Sequence, residues 1–249
     1  MSRGLGDVYK RQGKKLIVSE STSALMTRGY YEMPSDHIYI RPESWDKPFE
    51  APEHVCSSYD NCHVPWGSTH EKTWHLVKTL PHVSGLFVWT GFDYLGEPTP
   101  YWWPSRSSFF GIVDLAGFPK DVYYMYKSEW TNEPVLHIFP HWNWKEGEPV
   151  DICGYYNNAD EVELYLNGKS LGVRQKTDST YHVSWRVPFT PGTLRAVSRL
   201  GGKEVLVKEI HTAGEPARLV LTPDRSVIQA DGSDLSFVTV DVCDIDGNR

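Results

Sequence analysis

Two short apolar runs, residues 16–19 and 83–89, flank a stretch in which Trp74, Val77 and Leu80 recur at helical spacing. Apolar runs this short and without alternation suit strands buried on both faces, as in parallel sheets. Parallel neighbours need a long return connection, which a helix usually supplies. The order strand, helix, strand therefore predicts a parallel crossover unit. Ser68-Thr-His-Glu71 reads as a capping box, with Ser68 accepting a backbone N–H and Glu71 reaching back. The spacing predicts a helix over 69–79, stopped by Pro81. A second helix, opened by Pro119 as a first-turn residue, is predicted to run to about Trp130. Residues 13–133 thus read as two βα units, about a quarter of the strands in an eight-unit barrel of roughly 250 residues.

Residues 21–65 carry Pro34, Pro42, Pro48, Pro52 and Pro65 and are too long for a routine connection. Their aromatics (Tyr30, Tyr31, Tyr39, Trp45, Phe49, Tyr59) predict an ordered, packed loop. Tyr59-Asp60-Asn61 near its end either contacts a ligand or closes a turn. The loop after residue 89 sets Asp93 and Glu97 among aromatics, and the Trp102-Trp103 pair is expected to pack within it.

From Glu133-Pro134 onward the runs become short and alternating: 135–139, 150–156, 161–166, 181–187, 194–199 and 205–210. Asn167-Gly168 and Gly201-Gly202 are tight hairpin signals. Short strands at regular spacing predict a sandwich ending near Gly214. A third pattern begins at Ala217, with strands expected at 218–221, 226–228 and 235–242 and a turn at Asp246-Gly247-Asn248. Two or three strands do not complete a second sandwich. Residues 1–12 are polar and patternless, read as a non-native leader, and are excluded from fold reasoning.

The net charge of -7 argues against a nucleic-acid binder. No apolar run approaches the roughly 20 residues of a membrane helix. Four scattered cysteines make no disulfide framework. Reading His54, Cys56, Cys62 and His63 as zinc ligands is disfavoured by the five residues between the cysteines. Neither metal nor cofactor is expected. The 10 Trp, 14 Tyr and 9 Phe fill cores, but their flat faces also stack on sugar rings.

Glu20 stands at the C-terminal end of the first strand, where barrels place their chemistry. Taken alone, it is equally a capping or solvated carboxylate. Three motifs add to it: Ser19-Glu-Ser-Thr-Ser-Ala-Leu-Met-Thr-Arg-Gly-Tyr30, Phe87-Val-Trp-Thr-Gly-Phe-Asp-Tyr-Leu-Gly-Glu-Pro-Thr-Pro-Tyr101 and Ser108-Phe-Phe-Gly-Ile-Val-Asp-Leu-Ala-Gly-Phe-Pro-Lys-Asp121. With His141-Trp-Asn-Trp144, they resemble the β-galactosidase group of the family 2 glycoside hydrolases. The resemblance implies a multidomain α/β plus all-β chain. Residues 13–133 would be the C-terminal part of a (β/α)8 TIM barrel, 134–213 an immunoglobulin-like β-sandwich, and 214–249 the start of a second. Glu20 would end the seventh barrel strand as the catalytic nucleophile. Trp89 would end the eighth and floor the sugar site. Asp93 and Glu97 would lie near the substrate, hydrogen-bonding hydroxyls or ordering the loop.

Retaining glycosidases pair a nucleophile with a proton donor about 5–5.5 Å away. Glu20 suits the first role if hydrogen-bond donors keep it ionised. In the family, the donor lies in an Asn-Glu pair upstream of the nucleophile, a segment this sequence lacks. Asn132-Glu133 offers the same dipeptide but reads as a domain boundary. The resemblance thus implies a retaining enzyme for terminal β-galactosides, with this chain inactive by itself. β-Mannosidases and β-glucuronidases share the architecture. A rival reading makes the sandwich a spacer or weak glycan-binding module, with His141, Trp142 and Trp144 either exposed as a platform or packed against the barrel. The implied partner is a carbohydrate, and the analogy suggests a periplasmic or extracellular enzyme.

Overall fold

The computed structural model describes residues 13–44, 49–51 and 53–249. The leader reading at 1–12, and Trp45, Pro48 and Pro52 of the long loop, lie outside the described residues. Strand β1 (Leu16–Thr22) is followed by the short parallel pair β2 (Tyr39–Ile40) and β3 (Cys62–His63), helix α1 (His70–Thr79), strand β4 (Val83–Trp89) and helix α2 (Asp121–Trp130). β1 and β4 pair in parallel, and α1 packs against both. The crossover unit is therefore present. The burial expected on both faces is not: Ile17 is 59% and Phe87 66% exposed. Among the described residues no third strand pairs with this sheet.

Tertiary contacts displace the expected helix starts. Thr69, not Ser68, caps α1 by accepting from the Lys72 amide, while both oxygens of Asp60 take the amides of His70 and Glu71 at 2.8 Å. Those amides are the unsatisfied donors of a helix N-terminus. Asp60 thus closes the turn that Tyr59-Asp60-Asn61 announces. Burial pushes its pKa up to about 8 against the pull of the two amides. Glu71, released from capping, turns to the sandwich. α2 begins at Asp121, two residues after Pro119, with Lys120 at its cap position but sending its amine elsewhere.

The second half is all β: β5 (Leu136–Phe139), β6 (Pro149–Tyr156), β7 (Glu161–Leu166), β8 (Lys169–Arg174), β9 (Val183–Pro188), β10 (Thr193–Leu200) and β11 (Lys203–His211). Sheets β5-β6-β9 and β11-β10-β7-β8 face each other. Between them, Val150, Ile152, Trp185 and Val187 of one meet Val162, Leu164, Leu194 and Ala196 of the other. Asn167 and Gly168 turn β7 into β8 with φ of 50° and 78°, the left-handed pair a two-residue hairpin requires. β8 escapes sequence reading because only Leu171 and Val173 alternate in it. Trp142 is fully buried in this core and donates to the Thr190 carbonyl at 3.0 Å. It therefore forms no exposed platform. His141 stacks on Trp144, with ring centroids 4.8 Å apart, and also meets Tyr31 of the first half edge-on at 5.9 Å, the packing expected of this cluster.

Strands β12 (Arg218–Pro223) and β13 (Val238–Cys243) form an antiparallel ribbon, and residues 226–228 form no strand. Leu219 and Leu221, opposite Val242 and Val240, remain exposed. All four cysteines are buried and free. No helix among the described residues is long and apolar enough to cross a membrane.

β5 and β6 serve two cores at once. Ile138, Val150 and Ile152 point into the sandwich, whereas Phe139, Cys153 and Tyr155 pack against Met26, Tyr59, Met125 and Tyr126 of the first half. Carboxylates pin this seam. Asp121 accepts from Tyr31, Ser58 and His137 at 2.8–3.0 Å, and Glu129 from Trp74, Lys78 and Lys176. Glu71 reaches the Tyr181 amide and His182 Nδ1, the latter at 2.9 Å.

Burial works to lower His182, but hydrogen bonding and charge pairing with Glu71 outweigh it, so its pKa is raised above 6.5. The stability this pair adds is complete below pH 6.5 and lost as pH rises through the raised value. Thermal midpoints measured from pH 6 to 9 are therefore expected to fall across that window. Glu71→Gln should flatten the fall, and an unchanged slope would refute the assignment.

Candidate functional site

The C-terminal ends of β1 and β4 lie side by side, with Thr22 in register with Trp89. Just before that end β1 bulges. Val18 pairs with Leu86 and Ser21 with Val88, so Ser19 and Glu20 together oppose Phe87. A two-against-one bulge bends a strand and re-aims its side chains, and such bulges recur beside active sites. Glu20 is exposed, and among the described residues no hydrogen bond or ion pair reaches its carboxylate.

The backbone beyond Glu20 is held tightly. Thr22 O accepts from the Ser68 amide at 3.0 Å. A Cβ on Gly67 would lie 2.5 Å from Ser23 O and 2.9 Å from Thr22 O, so only glycine permits this approach. His70, fully buried at the start of α1, sets Nδ1 3.1 Å from Thr22 Oγ1 and 2.9 Å from the Tyr126 hydroxyl. Burial drives its pKa down to about 3, so it is neutral, and its Nε2 has no partner among the described residues.

Trp89, half-buried, is met edge-on by Tyr94 at 5.9 Å. The Tyr94 hydroxyl donates to the Glu97 carboxylate. Glu97 thereby fixes the ring that flanks Trp89. Asp93 is engaged more deeply. Its Oδ2 lies 2.7 Å from Lys120 Nζ, and its Oδ1 accepts the Gly111 amide at 2.8 Å. Lys120, whose side chain is 1% exposed, also donates to Met26 O at 2.7 Å. A Cβ on Gly111 would sit 2.1 Å from Asp93 N, so glycine is required there as well. Burial raises the Asp93 pKa despite Lys120, and lowers that of Lys120 despite Asp93. Of the two roles open to Asp93 and Glu97, the contacts of both carboxylates are loop-ordering ones.

Other candidates fall elsewhere. His54 bonds Ser105 Oγ and stacks on Tyr101, while His63 Nδ1 meets Val64 O. Glu133 pairs with Lys127 at 2.7 Å, and the carbonyls of Asn132 and Glu133 accept from Asn158 and Asn157 of the sandwich. A cavity of about 290 Å³ lies at the seam, lined by Asp36, Tyr59, Asp151, His182 and Arg186, away from the strand ends. Sequence reasoning passed over Lys120 and His70. The signal for Lys120 was a lysine standing where a helix wants an N-cap side chain.

A Domain of unknown function (DUF4982) matches residues 147–206, within the sandwich. Over 235 residues the chain is 62% identical to a β-galactosidase of Bacteroides ovatus, covering 94% of this chain and 28% of that one. The crystal structure of a β-glycosidase from Bacteroides vulgatus superposes on 98% of the chain with TM-score 0.86 and 30% identity, using 33% of its own length. A glycosyl hydrolase family 2 member from Bacteroides cellulosilyticus matches 72% of the chain, with TM-score 0.61, 34% identity and 26% of its own length. The chain spans about a quarter to a third of each protein it matches.

Proposed function

We propose, from its homology to the family 2 glycoside hydrolases, that this chain carries the nucleophile end of a retaining β-galactosidase, with Glu20 as the nucleophile. The bulge at Ser19-Glu20, beside Trp89 on the neighbouring strand end, carries this reading. In it β1 and β4 are the seventh and eighth strands of a (β/α)8 barrel spanning residues 13–133. An immunoglobulin-like sandwich occupies 134–213, and a second begins at 214.

Glu20 attacks the anomeric carbon of the terminal sugar and forms a glycosyl ester. A protonated carboxyl group gives its proton to the departing oxygen, then as carboxylate removes one from the water that cleaves the ester. Trp89 floors the sugar. Glu97 holds Tyr94 against it, and Asp93, locked to Lys120 and Gly111, fixes the start of the loop. Their carboxylates act on the substrate through position, since a misplaced contact costs rate steeply.

The chain by itself is expected to leave a chromogenic β-galactoside intact. The same sequence, exchanged for the matching segment of the Bacteroides ovatus β-galactosidase, should give an enzyme that turns it over. Comparison of β-galactoside, β-mannoside and β-glucuronide substrates on that exchange enzyme tests the sugar, and preference for either of the latter two overturns the galactoside assignment.

A further inference from the structure

We infer that Cys56 and Cys62 are a covalent crosslink site: in an oxidising medium their thiols join in a disulfide that closes the loop between them. The crosslink stands apart from the glycosidase reading, and Glu20 has no part in it.

Backbone pairing sets the two cysteines side by side. The Leu25 amide donates to the Cys62 carbonyl and the Thr27 amide to the Cys56 carbonyl, each at 2.8 Å. Met26 between them donates the other way, to Phe109 O at 2.9 Å. That alternation marks an extended stretch, in which amides two residues apart are separated by about 7 Å. The Thr27 hydroxyl accepts the Cys56 amide at 2.9 Å and holds that cysteine a second time. From these two positions the thiols of Cys56 and Cys62 reach and hydrogen-bond each other. Disulfides join cysteines whose Cα atoms lie about 4.4–6.8 Å apart with side chains pointing together, so little movement separates this contact from a bond.

The pair is complete within the described chain. Both thiols are buried in one core with Leu25, Val64, Tyr101 and Phe110. Cys153 packs in a different core, and Cys243 ends the β12–β13 ribbon. The loop that the two cysteines bracket gives the bond its consequence. Residues 57–61 are all buried, and three of them fasten three other parts of the chain. Ser58 donates to Asp121 of α2 at 3.0 Å, the Tyr59 hydroxyl to the Asp151 carbonyl of the sandwich at 2.8 Å, and Asp60 caps α1. A disulfide at the base of this junction restricts it in the unfolded chain and so favours the folded one.

The oxidant is a small-molecule disulfide of the glutathione class. One cysteine thiolate attacks it, forming a mixed disulfide and releasing one small thiolate. The second cysteine thiolate then attacks the protein sulfur and releases the other. Two protein thiols become one disulfide, the oxidant becomes two thiols, and the two protein protons pass to them. Burial and the neighbouring thiol raise the Cys56 pKa, so thiolate is scarce once the core has formed. Closure therefore accompanies folding, before the core seals.

The full chain should be refolded in oxidised plus reduced glutathione, its remaining thiols alkylated, and its peptides mapped by mass spectrometry. The peptide bearing both Cys56 and Cys62 is expected to be unalkylated and two hydrogens lighter, with Cys153 and Cys243 alkylated. The folded, reduced chain placed in the same buffer should close more slowly, by about tenfold or more. The crosslinked chain should melt about 5 °C above the reduced one, and Cys56→Ala/Cys62→Ala should melt alike in both buffers. The same refolding and mapping on the Bacteroides ovatus exchange enzyme keeps the result readable if the chain alone refolds poorly. Alkylation of both cysteines after oxidative refolding, a link from either to Cys153 or Cys243, or equal melting of the oxidised and reduced forms would overturn the crosslink.

Discussion

Glu20→Gln in the Bacteroides ovatus exchange enzyme is expected to lower kcat by on the order of 10⁴- to 10⁶-fold, the scale seen when a covalent nucleophile is removed. Gln keeps the shape of Glu but cannot form the glycosyl ester. The effect should therefore fall on kcat, with KM little changed. Treating the active enzyme with a 2-deoxy-2-fluoro galactosyl donor should label the peptide containing Glu20 and no other. The Glu20→Ala variant should regain part of its rate with azide and yield a product of inverted configuration, because the small anion enters where the carboxylate stood. Label on any other residue, or a Glu20→Gln enzyme within tenfold of the parent, would remove Glu20 from the mechanism.

Lys120→Met should be the most damaging of the structural substitutions, costing about 3–5 kcal/mol. The side chains of Lys120 and Asp93 are 1% and 10% exposed and 2.7 Å apart. Burial moves the pKa of both toward the neutral form, raising Asp93 and lowering Lys120. The raised Asp93 favours the fold at low pH and loses that contribution as pH rises through its folded pKa. The lowered Lys120 favours the fold at high pH and loses that contribution as pH falls through its own. At neutral pH the ionised pair therefore carries a net burial cost, tolerated because each charge answers the other. Removing only Lys120 leaves a buried carboxylate without its counter-charge, held only by the Gly111 amide, and takes the donor from Met26 O. The double variant Asp93→Asn/Lys120→Met is expected to be the more stable of the two, although it carries the additional change. Thermal midpoints of the single and double variants decide it. Equal or additive losses would show that the two charges are not coupled.

Local patterns carried much of this architecture. Asn167-Gly168 and Gly201-Gly202 turn where they were expected, because left-handed backbone at both central positions is a local requirement. The parallel pairing of residues 16–22 with 83–89 followed from period and order. The failures share one cause. Ser68 lost the cap to Thr69 and Asp60, and Glu71 left the helix for His182. In each case a partner distant in sequence outcompeted a near one. The run at Val150–Tyr156 reads as one alternating strand of the sandwich, yet it is buried throughout, because its alternate residues enter two different cores. Such assignment needs both cores in place.

At the site the same division holds. A carboxylate at a strand end, an aromatic at the next and a polar loop were legible from residue type and order alone, since strand ends in a parallel crossover lie side by side. Whether Asp93 faces solvent or a buried lysine, whether Trp142 or Trp102 is the exposed indole, and that Glu20 sits on a bulge were decided by the assembled structure. Those outcomes depend on which surfaces meet and which are left in water, and burial is a property of the packed chain that no single stretch of sequence contains.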